Sequence, residues 1–332
     1  MIRFGIVGFG LHAVRRLMPG FQLSSKCTVT ALQRRDPEKA KASAQEYGIP
    51  RFFNSVDDLC RSPEVDAVLV TSPNACHRLD VLTALRRGKP VLCEKPMGMD
   101  ADECREMVET AHRLRLLLGV AQVFRFHEST ARIRARVQSG DLGRLVFARS
   151  EFSFAARTHQ RKWLTDRSLA GGGPIADIGV HCIDTLRYIL QDEIVRVHAR
   201  TVSDSKSGEV EAAAILTLQF RAGTLGTVLV SYRAPYRTPL EIVGEAGEIF
   251  ADDALTVDRR VAIEYHSEDK PVVVEEVDNQ LAYARQVDSF AAALEGNGKF
   301  PAPGEVGWQN QVILDAAYRS MRTGQMEPVI VI

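Results

Sequence analysis

The chain has 332 residues, enough for two domains with separate hydrophobic cores. It carries 42 Lys plus Arg and 42 Asp plus Glu, so its formal net charge is zero, and 45% of its residues are hydrophobic. This balance argues against a nucleic-acid-binding protein, which would need an excess of basic residues. No stretch reaches the roughly 18 apolar residues that a membrane helix requires.

Residues 1–8 predict a strand rather than a leader peptide, because they contain neither a long apolar core nor a cleavage site. The six cysteines are scattered and form no CxxC pair, which predicts free thiols in a reducing compartment. We therefore expect a cytoplasmic protein that binds neither membranes nor nucleic acid.

Strands and helices alternate along the N-terminal part of the chain. Strands are predicted at Ile2–Gly8, Val29–Gln33, Ala67–Val70, Pro90–Cys93 and Leu116–Ala121. Helices are predicted at Ala13–Phe21, Leu79–Arg87 and Ala101–Arg115, and the pair Asp36-Pro37 is typical of a further helix start. Parallel strands need crossover helices, so this alternation predicts a doubly wound parallel sheet, the Rossmann fold.

After residue 122 the pattern becomes that of an α+β domain with a large, mostly antiparallel sheet. Strands are predicted at Val146–Phe154, Ala213–Phe220, Thr224–Tyr232, Leu240–Val243, Val261–Tyr265 and Val272–Val277. Helices are predicted at Ile178–Leu190, Gln280–Leu294 and Gln309–Thr323. We therefore expect an α/β protein with a Rossmann NAD(P)-binding domain at 1–122 and a substrate-binding and oligomerisation domain at 123–332.

The segment Gly8-Phe9-Gly10-Leu11-His12-Ala13 is a GxGxxA motif between the first strand and a helix. Its glycines let the backbone turn tightly and approach a pyrophosphate, while the helix N-terminus offers N–H groups and the positive end of its dipole. The alternative is a tight turn without a ligand. The strand–turn–helix context favours a dinucleotide site.

The second strand ends in Gln33-Arg34-Arg35-Asp36, where NAD enzymes usually carry an acidic residue for the ribose 2′-hydroxyl. Two guanidinium groups suit the 2′-phosphate of NADP(H) instead. We therefore expect NADP(H) to be favoured over NAD(H). The alternative is that Arg34 and Arg35 are solvated surface charges and that Asp36 only caps the next helix.

Two further segments carry residue types suited to catalysis. Cys93-Glu94-Lys95-Pro96 ends the fifth strand, which places Lys95 at the carboxyl edge of the sheet, where ligands bind. The segment Gly171–His181 combines three glycines with Asp177 and His181, which are four residues apart and share one face of a helix. Such a pair alone is more often structural. No third ligand lies at a suitable spacing, so a metal site is not predicted.

Together with the segment Thr71–His77, these motifs resemble the family of glucose–fructose oxidoreductase, inositol 2-dehydrogenase and MocA (Gfo/Idh/MocA) over essentially the whole chain. The resemblance implies an NAD(P)-dependent oxidoreductase that transfers hydride between nicotinamide and a hydroxyl or carbonyl group of a sugar or cyclic polyol. Lys95 and His181 would act on the reacting oxygen. Asp177 would bind a substrate hydroxyl or orient His181.

The resemblance also implies a set of cofactor contacts, a homodimer or homotetramer, and a cis peptide bond between Lys95 and Pro96. The implied cofactor contacts outside the glycine loop and the two arginines are Thr71, Ser72, Pro73, Asn74, His77, Glu94, Lys95, Trp163 and Tyr283. Trp163 and Tyr283 match positions that contact the cofactor in the 1,5-anhydro-D-fructose reductase branch, which the chain resembles most. Leu164 stands where that branch often has Arg, which weakens the substrate analogy.

Two other functions are compatible with these motifs. A cofactor-binding regulator would keep the fold without turnover, but it has no need for Lys95, Asp177 and His181 together. A glycosidase of the same family would use tightly held NAD⁺, which an exchangeable NADP(H) argues against. For Gln122, Arg125 and Asp184 the sequence favours no single role.

Overall fold

The computed structural model describes residues 1–156, 162–203, 209–257, 259–268 and 270–332. Its contacts divide the chain into two compact units. The first unit comprises residues 1–123 and 283–308, and the second comprises residues 124–282 and 309–332. Each unit contains its own sheet.

The first unit contains a six-stranded parallel sheet. Its strands are β1 (Ile2–Val7), β2 (Cys27–Gln33), β3 (Arg51–Phe53), β4 (Ala67–Val70), β5 (Val91–Cys93) and β6 (Leu118–Val120). The strand order is β3-β2-β1-β4-β5-β6, and each neighbouring pair is parallel. This order confirms the predicted Rossmann fold. The order reverses between β1 and β4, so the ligand crevice of such a sheet lies at the carboxyl ends of these two strands.

The crossover helices of this sheet begin and end near the predicted signals. They are α1 (Met18–Leu23), α2 (Pro37–Tyr47), α3 (Val56–Arg61), α4 (Asn74–Arg86) and α5 (Ala101–Leu114). The Asp36 carboxylate accepts a hydrogen bond at 3.1 Å from a backbone N–H of α2, whose first residue is Pro37, as predicted. The helix predicted at Ala13–Phe21 begins instead as a π-helical stretch, Ala13–Leu17. Pro19 lacks the N–H that a continuous α-helix would use there.

The second unit contains a nine-stranded sheet. Its strands are β7 (Leu145–Ser153), β8 (Ile194–Val202), β9 (Ala213–Phe220), β10 (Leu225–Ser231), β11 (Leu240–Gly244), β12 (Gly247–Ala251), β13 (Arg260–Ser267), β14 (Val273–Asp278) and β15 (Glu327–Pro328). The order is β14-β13-β12-β11-β7-β10-β9-β8-β15. The pairs are antiparallel except for β7 with β10, which confirms the predicted mostly antiparallel sheet, and β9 and β10 form the predicted hairpin.

The remaining helices are α6 (Glu128–Gln138), α7 (Arg167–Ala170), α8 (Val180–Leu190), α9 (Ala282–Leu294) and α10 (Gly304–Thr323). A second π-helical stretch, Ile175–Gly179, runs directly into α8. Within the described residues, none of the helices has the length and apolar character needed to cross a bilayer.

Residues 283–308 complete the core of the first unit. The ring of Phe290 on α9 lies 6.0 Å from that of Phe4 on β1 and 5.3 Å from that of Phe300, measured between centroids. A Cβ atom at Gly119 of β6 would lie 2.6 Å from the Phe300 ring, so this strand and the ring pack tightly. The sequence analysis placed this segment in the C-terminal domain. Its aromatic side chains have their apolar partners in the first unit instead.

Candidate cofactor site and catalytic residues

The loop between β1 and the first π-helical stretch forms an open cradle. Gly8 has φ 75°, and a Cβ atom there would lie 2.6 Å from the backbone nitrogen of Ser72. The Thr71 hydroxyl donates to the carbonyl oxygens of Val7 and Gly8, each at 3.0 Å. The N–H of Gly8 donates to Gln33 Oε1 at 3.2 Å. The ends of three strands therefore fix a loop that only glycine can form, and its shape fits a pyrophosphate group.

A cavity of about 580 Å³ lies beside this loop, at the carboxyl ends of β2 and β4. Three cationic side chains, Arg34, Arg35 and Lys39, are among its lining residues. The Arg34 guanidinium donates from Nη1 to Ser43 Oγ at 2.7 Å, which restricts its orientation. The structure therefore brings the two predicted arginines to one cavity with the glycine loop. Sequence reasoning missed Lys39, although its place on the first turn of the helix after Asp36 was a usable signal.

His12 in the glycine loop is joined to the end of β5. Its Nε2 lies 2.9 Å from Oε1 of Glu94, and the ring of Tyr283 lies 6.2 Å from the His12 ring. Burial raises the pKa of Glu94, but the nearby His12 and Lys95 outweigh it, so the pKa lies below the ordinary value for a glutamate. The predicted residues His12, Glu94 and Tyr283 thus form one group in the first unit.

Lys95 directly follows this group in the chain and is partly exposed. Its peptide bond to Pro96 is cis, which confirms the implication of the resemblance. His77 on α4 lies below, with Nδ1 3.0 Å from the Pro96 carbonyl oxygen and Nε2 2.8 Å from that of Ser72. Burial lowers the pKa of His77 despite these carbonyl groups, which raise it. With 1% of its surface exposed, His77 holds two loops in place and lies in the core.

In the second unit, Asp177 lies on the second π-helical stretch and His181 on α8. The Tyr232 hydroxyl donates to Asp177 Oδ2 at 3.0 Å. The ring of Phe124 lies 4.4 Å from the imidazole of His181, measured between centroids. Asp177 and His181 are 6% and 7% exposed, so both are held within the unit yet reach its surface. Sequence reasoning missed Tyr232 and Phe124, because neither belongs to a local motif with the residue that it contacts.

The glycines before Asp177 serve close packing within the second unit. A Cβ atom at Gly172 would collide with the Tyr318 hydroxyl, and one at Gly173 with the Glu211 backbone. The Glu211 carboxylate accepts hydrogen bonds from the N–H groups of Gly173 and Ile175, at 3.1 and 3.0 Å. Burial raises the pKa of Glu211, although these hydrogen bonds lower it. This carboxylate fixes the start of the π-helical stretch that carries Asp177.

Asp184 on α8 belongs to a buried ion pair. It accepts two hydrogen bonds from Arg125, both at 2.8 Å, and a third from Asn310 at 2.8 Å. The Arg125 guanidinium also lies 4.7 Å from the centre of the Tyr188 ring. Asp184 is 1% exposed, so its charge is compensated inside the unit. A buried carboxylate satisfied in this way has a structural role.

Trp163 lies in the 3₁₀ turn Lys162–Thr165 of the second unit and is partly exposed. Leu164, which stands where the similar branch often has Arg, is 4% exposed and packs in the core. Among the residues that the structure describes, no group of three or more His, Cys, Asp or Glu side chains could hold a metal ion.

The Rossmann sheet, the glycine cradle after β1 and the cavity at the end of β2 define a dinucleotide-binding protein. The family model described as "Oxidoreductase family, NAD-binding Rossmann fold" matches residues 2–122, and the "GFO/IDH/MocA C-terminal domain" matches residues 130–250. The chain belongs to the Gfo/Idh/MocA family of oxidoreductases.

Similar proteins extend over the whole chain. 1,5-Anhydro-D-fructose reductase of Ensifer adhaerens is 30% identical and is matched over 98% of both chains. D-xylose 1-dehydrogenase (NADP(+)) 2 of Haloferax volcanii is 31% identical over 97% of this chain and 98% of its own. The crystal structure of aldose–aldose oxidoreductase from Caulobacter crescentus, complexed with glycerol, has a TM-score of 0.92 at 26% identity and covers 99% of both chains.

Proposed function

We propose that the protein is an NADP(H)-dependent dehydrogenase or reductase that acts on a CH–OH or carbonyl group of a sugar or cyclic polyol. The single observation that carries this proposal is the grouping of the glycine cradle, the cationic cavity and the Glu94-Lys95 segment along the carboxyl edge of one parallel sheet. The sugar reductase and sugar dehydrogenase among its relatives support the substrate class. Cofactor binding by residues 1–122 and substrate binding by residues 123–332 are parts of the same proposal.

The bound nicotinamide would supply or accept the hydride. Lys95 would hold the reacting oxygen through its ammonium group and stabilise negative charge there. His181 would give a proton to that oxygen during reduction and take one from it during oxidation. Asp177, oriented by Tyr232, would bind a substrate hydroxyl or orient His181. A screen of sugars, inositols and keto sugars with NADPH and NADP⁺, read at the nicotinamide absorbance band, tests the proposal.

The preference for NADP(H) rests on the cationic side of the cavity. Arg34 is held by Ser43, and Arg35 and Lys39 add two further positive charges at the end of β2. A 2′-phosphate carries the charge and the acceptor oxygens that guanidinium groups bind in pairs. Asp36 also lines the cavity, but its carboxylate already accepts a backbone N–H of α2, which reduces its capacity for a ribose hydroxyl.

Replacing Arg34 with Asp is expected to weaken NADPH binding roughly ten- to hundredfold, since a charged hydrogen bond contributes about 1.5–3 kcal/mol. The preference should move toward NADH, whose free 2′-hydroxyl an aspartate can accept. Dissociation constants for both cofactors, from titration of nicotinamide fluorescence, measure the effect. Arg105→Asp on the exposed face of α5, with 52% of the side chain exposed, is the matched control. Equal affinity for both cofactors in the native protein, unchanged by Arg34→Asp, would contradict the assignment.

We also propose that the protein is a homo-oligomer that associates through the open face of the nine-stranded sheet. Residues 214, 216, 218 and 220 of β9 are buried, whereas Ile215 and Leu225 on the opposite face are 45% and 55% exposed. Apolar side chains on a broad sheet face favour contact with a second copy. Ile215→Glu should lower the molar mass measured by light scattering, whereas Leu23→Glu, at an exposed apolar residue of the first unit, should not. A monomeric mass for the native protein would refute this interface.

A further inference from the structure

One wall of the cavity beside the glycine loop is a face of α4. Ala75, Cys76, Leu79 and Asp80 belong to this wall, and Asp80 is the charged residue among the four. It is 9% exposed, so its carboxylate is more than nine-tenths buried. The Ser72 hydroxyl donates to Oδ2 of Asp80 at 2.6 Å. The other carboxylate oxygen, Oδ1, accepts no hydrogen bond from any residue of the described ranges.

A carboxylate in this position is unfavourable for the protein on its own. Burial raises the pKa of Asp80, against the opposing effects of the Ser72 hydroxyl and the Arg35 charge. A leucine would fill the same wall without desolvating a charge. An acceptor oxygen that is buried, lines a cavity and lacks a protein donor therefore indicates a donor group on a ligand.

The fold determines which part of a dinucleotide reaches this wall. In a Rossmann sheet the pyrophosphate lies on the glycine loop, and the 2′ group of the adenosine ribose lies at the end of the second strand. Gly8 and Arg34 mark these two places on the cavity wall. The base extends from the same ribose, which leaves the α4 wall for it. A phosphate group is excluded beside Asp80 because two negative charges would repel each other.

We infer that Asp80 selects the adenine base of the cofactor by accepting a hydrogen bond from its 6-amino group at Oδ1. This inference rests on the proposed cofactor-dependent function. Leu79 and Cys76 supply the apolar surface against which the flat base packs. Hypoxanthine carries a carbonyl oxygen at position 6 in place of the amino group, so an acceptor would face an acceptor. A site with a buried polar group left unpaired rejects such an analogue.

The test compares NADPH with its hypoxanthine analogue, deamino-NADPH, by titration of nicotinamide fluorescence. The native protein should bind NADPH about 10- to 100-fold more tightly, as expected when a charged hydrogen bond is replaced by repulsion. Asp80→Asn should bring the ratio close to one, because the amide can rotate to donate an N–H to the 6-oxo group. Asp102→Asn on α5, where 87% of the side chain is exposed, should leave the ratio unchanged.

Equal affinities of the native protein for the two cofactors would overturn the inference. So would an Asp80→Asn variant that weakens both cofactors but retains their ratio, since that result assigns Asp80 a structural role. The native ratio requires no variant and decides the matter even where Asp80→Asn does not fold. Failure to bind either cofactor would refute the proposed function, whereas tight binding of both would refute base selection alone.

Discussion

Replacing Lys95 with Ala is expected to lower kcat about 10²–10⁴-fold, the range for losing a positioned acid–base or charge-stabilising group. The ammonium group would stabilise charge on the reacting oxygen, and a methyl group cannot. Lys95 is partly exposed at the end of β5, so its truncation should leave the thermal unfolding midpoint nearly unchanged. Steady-state kinetics on a substrate identified by the screen, together with the unfolding midpoint, separate the two effects.

Two further variants make the Lys95 experiment specific. Lys299→Ala removes an exposed lysine from another loop of the first unit and should leave kcat unchanged. Lys95→Arg keeps the positive charge but replaces the compact ammonium by a planar group, so it should recover only part of the activity. If Lys95→Ala turns over at a nearly native rate, Lys95 does not act on the reacting oxygen.

His181→Ala should also lower kcat about 10²–10⁴-fold, because the proton transferred at the reacting oxygen loses its partner. Unlike Lys95, His181 belongs to the second unit, so the dissociation constant for NADPH should remain nearly native. The pH–rate profile should lose the limb that reports the imidazole. His112→Ala on α5, where 66% of the side chain is exposed, is the matched control for removing an imidazole. An unchanged pH–rate profile with native turnover in His181→Ala would remove the residue from the mechanism.

The parallel sheet of the first unit was predictable because its central strands are continuous apolar runs bounded by helix signals. Strand β3 was not, since Arg51 and Phe52 are exposed and its three residues gain strand geometry only by pairing with β2. Helix α6 was missed for a related reason. Its sequence is rich in arginine, and few positions, among them Ile133 and Val137, are buried. Edge strands and polar helices depend on neighbours that a local pattern does not encode.

The same distinction holds for the candidate site. The glycine loop and Arg34 could be recognised because their signals lie within a few residues of a strand end. Tyr232 contacts Asp177 across 55 residues of chain, and Glu211 bonds Gly173 across 38. Such contacts arise from sheet registration and helix packing. They could not be read from the spacing of residue types.

The packing of residues 283–308 has a consequence for the order in which the chain can fold during synthesis. Phe290 and Phe300 pack together, and Phe290 also packs on Phe4, the second of the aromatic residues' partners to be considered but the first to leave the ribosome. A nascent chain that ends at residue 123 contains all six strands of the Rossmann sheet but not the aromatic side chains that cover β1 and β6. The earliest part of the protein to be made is therefore among the last to be finished, because its core closes only after the second sheet has been translated.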